Sequence, residues 1–405
     1  MFGMFKKKGY ALANYRFSII AIVMTLLGIS CIVLQRLQGE DKFMIKQLLG
    51  ILLGLIVMVF VSLIDYHFIC KFFVPLYLLN LGLMLLCKYV TYSMFPLMYG
   101  WQHYTARRWI KIGGNGKAGQ GFEFMPSEIT KLVLVIFIAK LFVILGKRVN
   151  TVFGLLVSAV LILIPIYLVF DQPDLSTSIV LVATFICMLF IAGLSYRIVI
   201  PALAVGIPLL VGLFWYVQQD YQILLNKWQR NRILSILHPE EYPELMYQQN
   251  YASSAISTGG MFGKMIVGND GRRVAENIPV VESDFIFSAV AEEFGYVGCV
   301  FVILLFILFV ILSFRIARRA KDRLGYLVAS GIAITIALQA VVNIGVVISL
   351  LPNTGIPLPF MSMGLSSLIT NMATIGLLLN VGLHDKDVEI DDRYELEEGL
   401  LNFEK

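Results

Sequence analysis

Residues 281–314 read VESDFIFSAVAEEFGYVGCVFVILLFILFVILSF. From Phe285 onward the run is almost wholly apolar, broken chiefly by the adjacent pair Glu292 and Glu293. A helix rises about 1.5 Å per residue and a bilayer core is about 30 Å thick, so this run is longer than one crossing needs. Backbone groups in lipid must be satisfied within the segment, which a helix does and a lone strand does not. A transmembrane barrel would instead show alternating segments of about ten residues, and none is visible.

Working outward, nine further runs share this character. The ten lie at about 17–34, 47–64, 72–87, 129–145, 152–170, 176–192, 199–217, 285–314, 324–348 and 358–383. Of the 405 residues, 58% are hydrophobic and 15% charged, against about 45–50% and 25% in a soluble domain. The expectation is an all-α integral membrane protein. It has ten transmembrane helices in a single domain, 1–384, and a large extracytoplasmic loop, 218–283, between helices 7 and 8. The five cysteines, Cys31, Cys70, Cys87, Cys187 and Cys299, form no CxxC and read as small packing residues. The first apolar run lacks a small-residue cleavage site and leads into another span, so it is not a cleaved signal.

Lys6, Lys7, Lys8 and Arg16 precede the first span, and Arg315, Arg318, Arg319, Lys321 and Arg323 follow the eighth. Positive residues in short loops mark the cytoplasmic side. Both termini are therefore expected inside, with 385–405 as an acidic cytoplasmic tail. The loop 88–126 opposes that bias. It carries Lys88, Arg107, Arg108, Lys111 and Lys117 on the outer side against Glu123. Contact with lipid headgroups is one reading of this excess, and a site for a phosphate-bearing ligand is the other. Gly114–Gly119 matches GxGxxG, but without the strand and helix that a dinucleotide fingerprint needs.

Three spans descending from the outer face open on acids: Glu128 in MPSEITK, Asp171 and Asp174 in DQPDLST, and Asp284. Acids and prolines are ordinary at helix starts, yet three beside a basic loop suggest a common cavity. Lys131, one turn beyond Glu128, either pairs with it or meets a phosphate. Glu292 and Glu293 would be costly against lipid, so the first turns of the eighth span are expected to line the cavity. The run PNTGIPLPFMSMGLSS (352–367) breaks the tenth span with prolines, glycines and serines, as backbone lining a cavity would. No metal-ligand spacing or nucleophilic triad appears. His67, His103, His238 and His384 are scattered outside the spans. A lone carboxylate suits a general base. A transporter of a lipid-linked precursor would also use intramembrane carboxylates and a broken helix.

These motifs, in order, resemble the SEDS family (RodA/FtsW). They are Arg107-Arg108-Trp109-Ile110, Met125-Pro126-Ser127-Glu128 with Lys131, Gln172-Pro173-Asp174-Leu175-Ser176-Thr177, Ser283-Asp284-Phe285-Ile286-Phe287 with Glu292 and Glu293, and Thr354-Gly355 to Ser367. The resemblance implies a peptidoglycan glycosyltransferase of the bacterial cytoplasmic membrane. Such an enzyme polymerises lipid II onto a polyprenyl-pyrophosphate-linked glycan, partnered by a class B penicillin-binding protein. No nucleic acid is expected. By resemblance Asp284 is catalytic. Glu128, Lys131, Asp174, Arg107 and Arg108 are expected at the substrate, with Arg230 and Arg232 as further candidates. Glu292, Glu293, Ser366 and Ser367 are expected to support the cavity. A divalent cation, Mg or Mn, could assist, though the sequence shows no dedicated cage. The chain departs from the family pattern at Met125, Ser176, Ser283, Met363 and Leu365, and residues 113–121 look like an insertion.

Overall fold

A computed structural model describes residues 16–384, apart from 39–40, 92–93, 96, 104–105, 114–121, 173, 269–270 and 354. The Gly114–Gly119 stretch, Lys117 and the acidic tail lie outside the described residues. In chain order come α1 (Phe17–Gln38), α2 (Asp41–Leu63), the short α3 (Tyr66–Lys71) and α4 (Phe73–Tyr89). Strands β1 (Met98–His103), β2 (Ala106–Ile112) and β3 (Phe122–Phe124) follow. Then come α5 (Pro126–Leu145), α6 (Val152–Asp171), α7 (Leu175–Ile191) and α8 (Tyr196–Gln218). The long loop holds α9 (Lys227–Leu237), α10 (Pro243–Gly259) and α11 (Gly263–Val267). The chain closes with α12 (Ile286–Arg319), α13 (Arg323–Val347) and α14 (Leu365–Leu383). Each of the ten apolar runs is thus helical. Among the described residues, eight helices are long and apolar enough to cross a membrane; α4 and α7, at 17 residues each, are apolar but shorter.

The all-helical frame stands as expected, and one local correction lies within it. The loop after α4 forms an antiparallel sheet in the order β1-β2-β3. Its mixed charge hides a strand pattern in which Ile110 and Lys111 are both buried. Lys111 lies 3.9 Å from the centre of the Trp101 ring and 3.2 Å from Glu123, so the cation is held by the sheet itself. Gly100 brings β1 against the end of α4: a Cβ there would stand 1.9 Å from the Cys87 carbonyl oxygen.

A second correction concerns the tenth span, which begins at Leu365, not near 358. Pro357 and Pro359 each lack an amide proton. Gly355 (φ 68°) and Phe360 (φ 65°) take left-handed backbone that no helix accommodates. Residues 355–364 instead form an irregular segment above the helix.

Helices α13 and α14 are the most enclosed, α14 packing along α2 and α13 along α12 and α7. At the end of the bundle away from the sheet, Asp322 caps α13 by accepting the Gly325 amide (2.8 Å). The same carboxylate takes the Tyr66 hydroxyl (2.7 Å) and lies 3.0 Å from His67 Nε2, joining α3 to α13. At the sheet end, α10 crosses α12 almost backbone to backbone. A Cβ on Gly259 would lie 2.0 Å from the Ala291 carbonyl oxygen. A kink at Gly295 (φ 64°) divides α12 just beyond this crossing.

Gly259→Ala is expected to lower stability by about 1–3 kcal/mol through overpacking, read as a fall in Tm in detergent. Gly28→Ala, where nothing lies within 4 Å of the new methyl, should leave Tm unchanged or raised.

Candidate active site

Asp284 sits on the turn that enters α12, after Val280, whose φ of 60° is strained for a β-branched residue. Two irregular segments meet here, 280–285 and 355–364, and polar side chains stitch them together. Asn343, near the C-terminal end of α13, donates to the carbonyls of both Asp284 (2.8 Å) and Ile356 (2.7 Å). Gln339, about one turn away, donates to Pro357 O at 3.0 Å. Ser362 donates its hydroxyl to Ser283 O and accepts the Leu358 amide, and Met363 N reaches Glu282 O at 2.8 Å. An ideal Cβ on Gly355 would be 3.0 Å from Asp284 Oδ2, so the glycine serves both the backbone turn and the close approach of the carboxylate.

These segments form the floor of a cavity of about 510 Å³. Its walls include Glu128, Asp174, Arg108, Arg232, Ser366 and Ser367, with Asp284 at its base. Protein surrounds Asp284, yet the residue keeps surface open to the cavity. Burial raises its carboxyl above the ordinary carboxylate range, and Asp174 pushes the same way. The Ser283 hydroxyl, 2.8 Å from Oδ1, and the guanidinium groups of Arg108 and Arg232 pull it back down. Arg232, reaching in from α9, is itself lowered to about 10 by burial and by Arg108.

The remaining groups are placed by local chemistry. Asp174 caps α7, accepting the Thr177 amide (3.2 Å) and the Ser127 hydroxyl (3.3 Å). Arg108, on β2, donates through Nε to Gln172 O at 2.9 Å. Ser366 receives the Met125 amide at 3.3 Å. Glu128 borders the cavity, but Lys131 lies behind it. Their 2.9 Å ion pair is buried, and Lys131 faces a small enclosed pocket of about 10 Å³ beside Gln339 and Thr335. Lys88 pairs with Asp171.

Several expected site residues stand elsewhere. Arg107 is exposed on β2 and is not part of the cavity wall. Arg230 pairs with Asp220 (2.7 Å) and bonds the last carbonyls of α8. Glu292 and Glu293 are not at the cavity, because the first turns of α12 are roofed by the long loop. Glu292 accepts the amides of Val274 and Ala275 (both 2.8 Å) and Lys264 Nζ (2.5 Å). Glu293 accepts Arg273 Nε at 2.5 Å. Both carboxylates pin the loop to the span. The sequence reading passed over Asn343, although a polar side chain inside an apolar run is itself a signal. Among the described residues, no three His, Cys, Asp or Glu side chains converge as metal ligands.

A family model described as a cell cycle protein, FtsW/RodA/SpoVE, matches residues 11–387. The chain is similar to a probable peptidoglycan glycosyltransferase FtsW of Trichlorobacter lovleyi, 29% identical over 93% of this chain and 95% of that protein. It is similar to the peptidoglycan glycosyltransferase MrdB of Escherichia coli K12, 30% identical over 91% and 94%. A solved structure described as "Structural coordination of polymerization and crosslinking by a peptidoglycan synthase complex" shares the fold with TM-score 0.75. It is 27% identical over 91% of this chain and 97% of that one.

Arg273→Met should destabilise the protein by about 3–5 kcal/mol, because it strands the buried Glu293 carboxylate. Adding Glu293→Gln should recover part of the lost Tm. A single variant as stable as wild type would show that the pair does not anchor the loop.

Proposed function

The chain belongs to the FtsW, RodA and SpoVE family of cell cycle proteins, and from that membership we propose that it polymerises lipid II into peptidoglycan strands, with Asp284 as general base. The observation that carries the reading is the placement of one carboxylate, raised by burial, at the base of a cavity where two arginines face it.

The acceptor is the 4-hydroxyl of the GlcNAc of lipid II. The donor is the growing glycan, held through pyrophosphate to a polyprenyl chain. Asp284 takes the hydroxyl proton as the oxygen attacks the anomeric carbon. The new C–O bond forms while the bond from that carbon to the phosphate oxygen breaks. Polyprenyl pyrophosphate departs as an anion, so no general acid is required. Arg108 and Arg232 stabilise the charge that gathers on it. Glu128, backed by Lys131, and Asp174 set the shape and charge of the opposite wall.

In this reading all ten apolar helices cross the membrane, including α4 and α7. Their 17 residues span about 25 Å, a shortfall met by local thinning of the bilayer. The sheet and the long loop face outward, both termini face the cytoplasm, and a class B penicillin-binding protein supplies crosslinking.

Asp284→Asn is expected to cut lipid II polymerisation by about 10²–10⁴-fold while leaving Tm near wild type. Assays in detergent, without sealed compartments, separate a transferase from a transporter. Normal glycan synthesis by the variant would overturn the assignment.

The pH dependence has a definite sign. Asp284 works ionised, and its acid form is favoured by burial. Activity should therefore fall as pH drops through a value above the usual carboxylate figure of about 3.9. Arg232→Gln removes a charge that favours the ionised form, so the acid limb of the pH–rate profile should move to higher pH.

A further inference from the structure

A second chamber, about 380 Å³ in volume, adjoins the first and shares Arg232 with it. The partition between them is built from two strained or irregular segments. Pro279 faces the second chamber and Val280 the first. Asn353 likewise faces the second and Gly355 the first. The turns that place Asp284 therefore also form one wall of this neighbour. Its other wall is the first half of α10, which presents Glu244, Tyr247 and Gln248.

The chemistry of these groups is specific in kind. Tyr247 is substantially exposed and packs its ring 4.6 Å from that of Tyr251, so it offers a fixed apolar face. Gln248 and Asn353 are locked together at 2.5 Å, and Gln248 also donates to Pro279 O at 2.9 Å. Glu244 adds an exposed carboxylate that can accept hydroxyl protons. An aromatic face beside rigid amides and a carboxylate suits a sugar, which has one apolar C–H face and a rim of hydroxyl and acetamido groups. The volume falls within the range of about 300–1,000 Å³ of small-ligand sites. Among the described residues lining the chamber, Arg232, at the shared wall, is the one cation, which suits a sugar better than a pyrophosphate.

We propose that this second chamber is a saccharide subsite that holds the growing glycan beyond the reacting centre, keeping the strand on the enzyme between additions. The proposal rests on the transferase reading above. It assigns to Tyr247, Gln248 and Asn353 a grip on sugars that have already been joined, and to Arg232 the boundary between sugar and pyrophosphate.

The test uses the purified full chain in detergent with two readouts. The first is saturation-transfer NMR with a soluble probe, the β-1,4-linked tetramer of N-acetylglucosamine. The second is the length distribution of strands made from lipid II. Tyr247→Ala is expected to weaken tetramer binding about tenfold, the loss of one stacked ring and its contacts. Strands should also shorten. Tyr247→Phe keeps the ring and should keep most of the binding. Glu244→Trp, at an exposed position, fills the chamber without disturbing the core and should act like Tyr247→Ala if the latter folds poorly. Asp284→Asn should cut polymerisation by about 10²–10⁴-fold yet still bind the tetramer. Undiminished tetramer binding in Tyr247→Ala and Glu244→Trp would overturn the proposal. So would unchanged strand lengths with only the KM for lipid II altered. Failure of the wild-type protein to make any glycan would sink the transferase reading instead, while the tetramer arm would still report on the chamber.

Discussion

The site depends on one constraint: backbone that leaves the helix inside an apolar bundle must still find hydrogen-bond partners. Two stretches leave it here, 280–285 and 355–364, and they do so side by side. A single carboxamide, Asn343, reaches carbonyls from both. Ser362 and Gln339 bind the rest. Each buried carbonyl left unmatched would cost about 1–3 kcal/mol. The polar residues of α13 are therefore what permits an irregular floor, and the irregular floor is what lets a carboxylate face a cavity instead of a helix neighbour.

The acids near the start of α12 divide by the same logic. Glu292 and Glu293 are almost fully buried and fully engaged, with two backbone amides, one lysine and one arginine. They tie the loop containing α10 and α11 to the bundle. That loop in turn carries Arg232 to the cavity and Tyr247 to its neighbour. Asp284, nine residues or fewer away, has among the described residues only its neighbour Ser283 as a close side-chain hydrogen-bond partner. Structural carboxylates saturate their oxygens, and a base must keep one available.

The helical frame is legible in the sequence because lipid imposes length and polarity on every crossing. All ten apolar runs are helical, and even the start of α5 follows from Pro126 in its first turn. The departures have physical causes. The sheet was hidden because β2 mixes Arg107, Arg108 and Lys111 with apolar residues, and burial of Lys111 beneath Trp101 cannot be read from spacing. The tenth helix starts late because prolines and left-handed residues override hydropathy. At the site, motif order points to Glu128, Asp174, Arg108 and Asp284, which do converge, and Arg232, a candidate from the long loop outside any motif, joins them. Lys131, Arg230, Glu292 and Glu293 are held by nearer partners than any ligand. Charge sign is visible in a sequence; which opposite charge is nearest is set by the fold.

In the proposed reaction, the charge balance of the cavity would link its base to its leaving group. Arg108 and Arg232 offset Asp174 and Asp284, Lys131 offsets Glu128 and Lys111 offsets Glu123, so the walls are near neutral without substrate. A pyrophosphate entering this space adds excess negative charge. A 510 Å³ cavity has the volume of a sphere about 10 Å across. Unit charges about 10 Å apart, at an effective dielectric of about 20, interact by roughly 1.7 kcal/mol. Under the proposed mechanism, bound donor would raise the proton affinity of Asp284 further and so strengthen it as a base when the acceptor hydroxyl loses its proton. Departure of the pyrophosphate removes that field. Asp284 then releases its proton to solvent more readily, and the ionised carboxylate is restored for the next addition. Moderate positive charge serves this cycle better than a dense cluster, which would hold Asp284 too acidic to accept a proton and the leaving group too tightly to let it go.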